Sequence, residues 1–318
     1  MNRTGRRPVV VGVDGSACAE SALRYALTAA ARRCSDLEVI SAFTPELFWA
    51  RGVPLQVPDT EAIRADTAER ARELVEKVRT ELAGGPAVGA VDVSVRVTAV
   101  AGPAAAVLTD SAENAALLVV GNRGRGVLRS AVLGSVALRC VTSAHCPVVV
   151  VHALPDPPDD PPRVVVGVDG SESAPAVLAA AVDEAARSGA ALEVVACYVP
   201  AESWSRMYPE LVATTEEIGN DTRRNTEDLV TTVLAGRTAA TTAPAVRVSV
   251  AEGAAQDVLI EHARGAVQLV VGGRDHGAIR GLLLGSVALH CALHAPCPVM
   301  VVHPAKEVVT SADAPERP

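Results

Sequence analysis

A glycine-rich segment, Gly121–Gly126, is the strongest chemical feature of the 318-residue sequence. It reads Gly-Asn-Arg-Gly-Arg-Gly, and after seven intervening residues Gly134 and Ser135 begin a stretch of helical pattern. Three glycines let backbone N–H groups converge on an anion, and the two arginines add positive charge. The start of a helix adds a hydroxyl group and the positive end of its dipole. The segment therefore predicts a polyphosphate site.

A second polar turn, Asp14–Ser16, follows the first apolar run. Its carboxylate can accept hydrogen bonds from a ribose or an exocyclic amine, so the two turns together predict a nucleotide site. Each turn alone also has a purely structural interpretation, because glycine-rich turns often only reverse the chain and Asp-Gly-Ser commonly starts a helix. Both turns recur in the second half of the chain, and this recurrence favours binding.

Two other classes of phosphate site are excluded by the residues present. A Walker A loop requires Gly-Lys followed by Ser or Thr, whereas the two lysines, Lys77 and Lys306, follow Glu76 and Ala305. A dinucleotide fingerprint requires Gly-x-Gly-x-x-Gly directly after the first strand, where this chain has Gly12-Val-Asp-Gly-Ser. We therefore expect neither a P-loop protein nor an NAD-binding protein.

The chain contains one sequence pattern twice. Val9–Ser16 recurs letter for letter as Val164–Ser171, at an offset of 155. Gly134–Leu138 recurs as Gly285–Leu289 at an offset of 151, so the second copy is four residues shorter after its second strand. Ala153–Pro162 joins the copies, and five of its ten residues are proline, which is typical of an extended linker. We predict domains at 1–152 and 163–303, the linker at 153–162 and a polar tail at 304–318.

Within each copy, short apolar runs rich in β-branched residues alternate with alanine-rich stretches of helical period. Such runs with helices between them predict a parallel sheet covered on both faces. The predicted fold class is therefore α/β, with two tandem doubly wound domains. In such sheets ligands bind beyond the carboxyl ends of the strands, where the loops after the first and fourth strands meet. The predicted strands of the first copy are Val9–Val13, Leu37–Ala42, Val91–Val97, Leu117–Val120 and Val148–Val151, and the predicted helices are Ala19–Arg33, Thr60–Leu82, Pro103–Asn114 and Leu133–Thr142.

The spacing Gly121-x2-Gly124-x9-Gly134-Ser135, after an opening Val-Gly-Val-Asp-Gly-Ser, resembles the ATP-binding signature of the universal stress protein family. The resemblance covers nearly the whole chain as two tandem domains. It implies an open, twisted, five-stranded parallel sheet in each domain, with strand order 3-2-1-4-5 and flanking helices. It also implies adenine-nucleotide binding and dimerisation through the last strand.

Transferred by position, the resemblance assigns Asp14 to the adenosine, the backbone of Ala42 to adenine, and Gly134 with Ser135 to the terminal phosphates of ATP, with or without Mg²⁺. It assigns no catalytic residue and no metal-ligating residue. The implied first site comprises Gly12, Asp14, Ala42, Gly121, Arg123, Gly124, Arg125, Gly126, Gly134 and Ser135. The implied second site comprises Gly167, Asp169, Cys197, Gly272, Arg274, Gly285 and Ser286.

The second copy departs from the signature at Asp275, which stands where the first copy has Gly124. A carboxylate about 4 Å from a phosphate costs roughly 1 to 4 kcal/mol, depending on the local dielectric. Any requirement for a left-handed backbone would add to that cost. We therefore predict that the second site binds ATP more weakly than the first.

Six of the seven aromatic residues follow the second predicted strand of either copy. They could form a lid over the adenine pocket or a hydrophobic flap over the sheet edge, and we favour the flap because aromatic side chains commonly supply buried area. A lid would place Trp49 against bound nucleotide. The six are Phe43, Phe48, Trp49, Tyr198, Trp204 and Tyr208.

Histidine and cysteine residues near the end of each copy could in principle bind a metal ion. Cys146 and Cys297 each precede a proline and an apolar strand, however, and free cysteine is among the most buried residue types, so packing is the favoured interpretation. His276 could act as a general base, but its counterpart is Arg125 and no nucleophile–base pair recurs in both copies. The residues considered for metal binding are Cys140, His145, Cys146, His152, His290, Cys291, His294, Cys297 and His303.

The composition limits the remaining classes of protein. With 49% hydrophobic and 21% charged residues the chain can fold around a core, and its apolar runs are shorter than the roughly 18 residues of a membrane-spanning helix. A net charge of −8 without a dense basic run disfavours nucleic acid as a partner. Seven cysteines without a C-x-x-C, and Met1–Pro8 without an apolar signal segment behind it, indicate reduced thiols in the cytoplasm.

We therefore expect a cytoplasmic ATP-binding protein that acts as a nucleotide-dependent stress sensor or binds a protein partner yet to be identified. We expect a homo-oligomer, and no membrane partner. The alternatives are a slow ATPase or nucleotidyl transferase on the same scaffold, and a module that no longer binds nucleotide. The strands Val148–Val151 and Val299–Val302 should pair within the chain, because these apolar edges would otherwise remain open.

Overall fold

The computed structural model describes residues 6–44, 49–50, 53–54, 59–84, 88–124, 133–152, 161–199, 214–237, 243–273 and 284–303. The first half contains β1 (Val9–Gly12), α1 (Ala17–Arg33), β2 (Leu37–Phe43), β3 (Trp49–Ala50), β4 (Val53–Pro54), α2 (Thr60–Ala83), a 3-10 turn (Val88–Ala90), β5 (Val95–Ala101), α3 (Ala104–Ser111), β6 (Leu117–Gly121), α4 (Ser135–Ser143) and β7 (Val148–Val151). The second half contains β8 (Arg163–Val168), α5 (Ala174–Ser188), β9 (Ala191–Tyr198), α6 (Thr215–Ala235), β10 (Val246–Glu252), α7 (Ala255–His262), β11 (Gln268–Gly272), α8 (Ser286–His294) and β12 (Val299–Val302).

Helix ends follow from local chemistry. Ser16 caps α1, its side chain accepting a hydrogen bond from the Ala19 N–H at 3.2 Å. A capping box between Thr214 and Glu217 starts α6. Helix α5 ends at Gly189, which has a φ of 63°, and α1 ends at the matching Cys34 with a φ of 49°. Cys34 thus adopts in the first copy the left-handed conformation that a glycine adopts in the second.

Ten strands form a single sheet in the order β10-β9-β8-β11-β12-β7-β6-β1-β2-β5. The strands within each half are parallel, and their order, apart from the separate hairpin of β3 and β4, is the predicted 3-2-1-4-5. The halves join where β7 and β12 pair in antiparallel fashion, with Val149 opposite Met300. The intramolecular pairing expected of these apolar strands is therefore present.

The helices cover both faces of the sheet, as expected for buried parallel strands. Helices α1, α2, α5 and α6 pack on one face, whereas α3, α4, α7 and α8 pack on the other. Each face has one core that runs across both halves. Every residue of β7 and β12 is buried, so the join between the halves is part of the core. None of the helices in the described part of the chain is long and apolar enough to span a membrane.

The third predicted strand, Val91–Val97, was placed too early, since β5 begins at Val95 and continues to Ala101. Val93 lies in the bend before β5, outside any strand, but its side chain is buried in the core. Its carbonyl accepts a hydrogen bond from Arg79. An apolar residue can thus enter the core without belonging to a strand. Helix α3 is also shorter than predicted, spanning Ala104–Ser111. The four-residue shortening of the second copy falls mainly in the helix after the hairpin region, since α2 has 24 residues and α6 has 21.

Candidate nucleotide site

The loops after β1 and β6 meet at the carboxyl edge of the first half, as predicted. A Cβ atom at Gly124 would lie 2.6 Å from Oδ2 of Asp14, so the glycine backbone lies directly against the carboxylate. The other oxygen, Oδ1, accepts a hydrogen bond from the Ser16 N–H at 2.9 Å, which fixes the carboxylate at the start of α1. A side chain at position 124 would therefore require the Asp14 carboxylate to shift from this position.

Gly121 lies against the first turn of α1. A Cβ atom there would lie 3.0 Å from the backbone carbon and oxygen of Cys18. Its neighbour Asn122 donates its N–H to the carbonyl of Val151 and accepts one from Gly134, both at 2.8 Å. These two hydrogen bonds connect the end of β7, the glycine-rich loop and the start of α4. They hold Gly121 and Gly134, two residues of the predicted signature, in one compact unit.

The first N–H groups of α4 follow Gly134, which supplies no side-chain cap. The uncapped start of a helix presents N–H donors and the positive end of the dipole, and Ser135, the first residue of α4, is exposed. Arg123 is partly buried between Asn122 and Gly124. The described part of the loop therefore brings N–H donors, a hydroxyl group and a guanidinium group to the same edge as Asp14. Arg125 and Gly126 lie outside the described residues.

The second half encloses a cavity of about 410 Å³ at its own carboxyl edge. This volume is in the range of small-molecule pockets, about 300 to 1,000 Å³. A Cβ atom at Gly285 would meet no described atom within 4 Å, whereas one at Gly134 would lie 3.3 Å from the carbonyl oxygen of Asn122. Six of the predicted second-site residues line the cavity: Gly167, Asp169, Cys197, Gly272, Gly285 and Ser286. Arg274 and Asp275 lie outside the described residues.

Ala42 and Cys197 occupy matching positions at the ends of β2 and β9. The N–H of Val13 donates a hydrogen bond to the carbonyl of Ile40, so this carbonyl of β2 points toward β1. Backbone groups two residues apart on a strand point to the same side, and the N–H and C=O of Ala42 therefore also point toward β1. β1 ends at Gly12, opposite Ile40, so the backbone of Ala42 faces the space beyond it. This geometry fits the backbone role predicted for Ala42.

Gly12 and Gly167, which were predicted as site residues, each also pack against a helix. A Cβ atom at Gly12 would lie 2.7 Å from the side chain of Leu108, and one at Gly167 would lie 2.7 Å from that of Leu259. The two glycines therefore admit α3 and α7 to the sheet in the same way. Their presence in both copies has a packing explanation as well as a binding one.

Ser173 is a cavity residue that sequence reasoning missed. It is buried and lines the second cavity, and its Oγ lies 3.1 Å from Oγ of Ser171, which in turn donates to the Asp169 carboxylate. The first copy has Cys18 at the matching position. The exchange of cysteine for serine beside the Asp-Gly-Ser turn was the signal available in the sequence.

The cysteines support the packing interpretation. All seven are free, and burial raises the pKa of the Cys140, Cys291 and Cys297 thiols to about 12 and that of Cys146 to about 11. A thiol that does not ionise is a poor metal ligand and nucleophile. Among the residues that the structure describes, no group of three or more His, Cys, Asp or Glu side chains could hold a metal ion.

Of the six clustered aromatic residues, the structure describes the side chains of Phe43 and Tyr198, at the ends of β2 and β9. Tyr198 packs on α6, where a Cβ atom at Gly219 would lie 3.2 Å from its hydroxyl oxygen. This contact agrees with a flap over the sheet edge at Tyr198. The side chains of Phe48, Trp49, Trp204 and Tyr208 lie outside the described part of the chain.

Comparison with known proteins relates both halves to one family. The model of the universal stress protein family matches residues 5–152 and 162–303. A universal stress protein of Mycolicibacterium smegmatis is 32% identical over 304 residues, which is 93% of this chain and 97% of that protein. One from Mycobacterium tuberculosis is 31% identical over 309 residues, 92% of this chain and 95% of the relative. The crystal structure of a universal stress protein from Archaeoglobus fulgidus shares the fold, with a TM-score of 0.62 at 17% identity over 93% of this chain and 98% of that one.

Proposed function

Because the chain belongs to the universal stress protein family and carries two of its domains in tandem, we propose that it binds ATP at the carboxyl edges of its sheet. In this proposal it is a cytoplasmic, nucleotide-dependent sensor or partner-binding module of the stress response. The observation that carries the proposal is the meeting of the Asp-Gly-Ser turn with the loop of the glycine-rich signature in both halves, enclosing a cavity of about 410 Å³ in the second.

The groups at this edge suit an adenine nucleotide. The glycines, the uncapped start of α4 and Arg123 would bind phosphates, because N–H donors and a guanidinium group are the usual ligands of anionic oxygens. Asp14 or Asp169 would accept hydrogen bonds from the ribose, and the backbone of Ala42 would bind adenine. Mg²⁺, when present, would bind mainly to the phosphates, since this ion keeps most of its water and needs few protein ligands.

The two sites should differ in affinity. A side chain at position 124 would displace the Asp14 carboxylate, and the second copy has Asp275 at the matching position of the sequence. A second carboxylate beside Asp169 and a phosphate should weaken binding by roughly 1 to 4 kcal/mol, or about five-fold to several hundred-fold in Kd. We therefore expect the first site to bind more strongly.

Exchanging the two residues tests both the function and the asymmetry. Calorimetric titration of ATP should give one strong and one weak site in the wild type. Asp275→Gly should produce two sites of similar affinity, and Gly124→Asp should remove the strong site. Circular dichroism would verify that each variant is folded. Two equal sites in the wild type would contradict the asymmetry, and no binding of ATP to any variant would contradict the function.

A phosphate-release assay on the same proteins separates a binder from a slow ATPase. No described nucleophile–base pair recurs at the two edges, so we expect bound ATP to be recovered intact. Turnover that disappears in Gly124→Asp would instead establish an enzyme.

A further inference from the structure

A separate cavity of about 450 Å³ lies at the opposite, amino edge of the strands, where the two halves meet. Its walls come from the segment before β1, the end of α1, the starts of β6 and β7, and α5 of the second half. Five arginines line it: Arg6, Arg7, Arg32, Arg33 and Arg187. The cavity is as large as the candidate nucleotide site but has no glycine-rich loop.

The internal repeat shows that this cavity belongs to one side of the join only. Ala180 and Leu117 both line the cavity. In the other copy, Ala180 corresponds to Tyr25 of α1 at the offset of 155, and Leu117 corresponds to Gln268 at the offset of 151. Tyr25 fills the matching position on the other side, where its hydroxyl donates to Oε1 of Gln268 at 3.0 Å. The small side chain of Ala180 leaves the corresponding space open.

The charges of the two sides also differ. Arg6 and Arg7 of the cavity correspond to Pro161 and Pro162 on the filled side. A tyrosine–glutamine pair thus closes one side, and a group of guanidinium groups lines the other. The second copy could not form the same basic cavity even if Tyr25 were replaced by alanine.

The acidic residues in the wall are already neutralised. Glu184 forms ion pairs with Arg33 and, at 3.0 Å, with Arg187, while Asp183 pairs with Arg187 at 3.3 Å and with Arg237 outside the cavity. The cavity therefore retains an excess of positive charge. Within the described part of the chain, neither Arg7 nor Arg32 forms an ion pair.

A residue with a buried hydroxyl group also lines the cavity. Ser35 lines the cavity with 5% of its surface exposed, and its Oγ has no hydrogen-bond partner among the described residues. An unpartnered buried hydroxyl costs about 1 to 3 kcal/mol, so a ligand that accepts its hydrogen bond would relieve that cost.

We propose that this cavity is a second type of anion site, which binds a small molecule bearing several phosphate groups across the two halves. Guanidinium groups pair with phosphate oxygens through two parallel hydrogen bonds, and the wall contributes four of them from the first half and one, Arg187, from the second. Ser35 would donate to one phosphate oxygen. The site is independent of the candidate nucleotide sites, which lie at the carboxyl edges.

Titration with inorganic tripolyphosphate at low salt tests this site by charge removal. The double variant Arg7→Ala/Arg32→Ala should weaken a tripolyphosphate-binding event by at least about ten-fold. The matched control Arg70→Ala/Arg223→Ala removes the same charge from exposed positions of α2 and α6 and should leave it unchanged. No binding to the wild type, equal binding to the first variant, or equal weakening in the control would overturn the proposal.

Filling the cavity provides a test at constant charge. Ala180→Tyr copies the residue that closes the other side, and it should abolish the arginine-dependent binding while circular dichroism remains unchanged. Retention of that binding by a folded Ala180→Tyr protein would contradict the location. ATP titration of the same variants separates this proposal from the previous one, since loss of the arginine-lined site should leave ATP affinity unaltered.

Discussion

Glu38 and Glu193 occupy matching positions in β2 and β9, but their surroundings differ. The side chain of Glu38 is 29% exposed and its nearest cation, Arg96, is 3.8 Å away. That of Glu193 is 5% exposed and accepts hydrogen bonds from Arg247 at 2.6 Å, Ser249 at 2.9 Å and His262 at 2.9 Å. The two copies thus share a backbone, but only the second surrounds this glutamate with several hydrogen-bond donors. Similar folds in one chain need not share the interactions that stabilise them.

The largest expected effect is on this cluster. Glu193→Ala would leave Arg247, Ser249 and His262 without their common acceptor. Because the Arg247 side chain is 73% exposed and water can solvate it, we expect a cost of about 1.5 to 3 kcal/mol, below that of breaking a fully buried ion pair. Glu38→Ala should cost less than about 1 kcal/mol, because exposed ion pairs contribute little. Urea unfolding of both variants measures the difference. Equal destabilisation would contradict the contrast drawn between the two copies.

Acid should weaken the same cluster. Burial opposes ionisation of Glu193, but the hydrogen bonds from Arg247, Ser249 and His262 outweigh it and hold the pKa of Glu193 below its usual value. Since the unfolded state then binds the proton more readily, the stabilisation is present above the ordinary glutamate pKa and is lost as the pH falls through the lower folded value. Unfolding free energies of wild type and Glu193→Gln between pH 7 and pH 3 should therefore converge at low pH. A constant difference would mean that ionisation of Glu193 is irrelevant to stability.

A second comparison concerns the glycines that end β6 and β11. Gly121→Ala would press a methyl group against the backbone of Cys18 at 3.0 Å, whereas Gly272→Ala would meet a single methyl group of the Val177 side chain at 3.1 Å. Overpacking against backbone costs about 1 to 3 kcal/mol, so we expect about 2 kcal/mol for Gly121→Ala and less for Gly272→Ala. Thermal unfolding provides the measurement. The reverse order would show that α5 is held more rigidly than α1.

Tyr25 offers a smaller test of the join. Tyr25→Phe removes the hydrogen bond to Gln268, whose Nε2 already lacks a partner among the described residues, and should cost about 1 to 2 kcal/mol. Tyr198→Phe is the control, because the Tyr198 hydroxyl makes no hydrogen bond within the described part of the chain. Denaturant unfolding that gave the same value for both variants would assign Tyr25 a role in packing alone.

The smallest effect should come from His152. Burial lowers the pKa of His152, so its neutral form is favoured in the folded state. Below about pH 6.5 the unfolded state binds the proton more readily, and stability should fall with decreasing pH until the folded pKa is passed, by at most about 1.4 kcal/mol per pH unit. His152→Gln should flatten this dependence, whereas His145→Gln, at an exposed position, should retain it. An unchanged profile in His152→Gln would assign the dependence to other groups.

The doubly wound fold and the meeting of the two loops could be predicted because they depend on repeated local patterns, whereas the strand order was implied by the resemblance to a known family. The alternation of apolar runs and helices identifies a doubly wound sheet, and the topology then brings Asp14 toward Gly124. The start of β5 could not be predicted, because Val93 fits the apolar pattern of a strand although it lies in the bend before β5. The arginine-lined cavity was also beyond sequence reasoning, since it depends on which side chain, Tyr25 or Ala180, faces the other half.

The antiparallel pairing of β7 with β12 has a consequence for assembly. Separate halves would have to associate through two four-residue strands and would lose overall translational and rotational freedom in doing so. In one chain the same encounter is unimolecular, and short connections commonly give effective concentrations near millimolar. The join should therefore persist at any dilution. A residue can then be substituted in one half without the same substitution in the other. The arginine-lined cavity on one side of the join and the Glu193 cluster in the second half are two such differences between the halves.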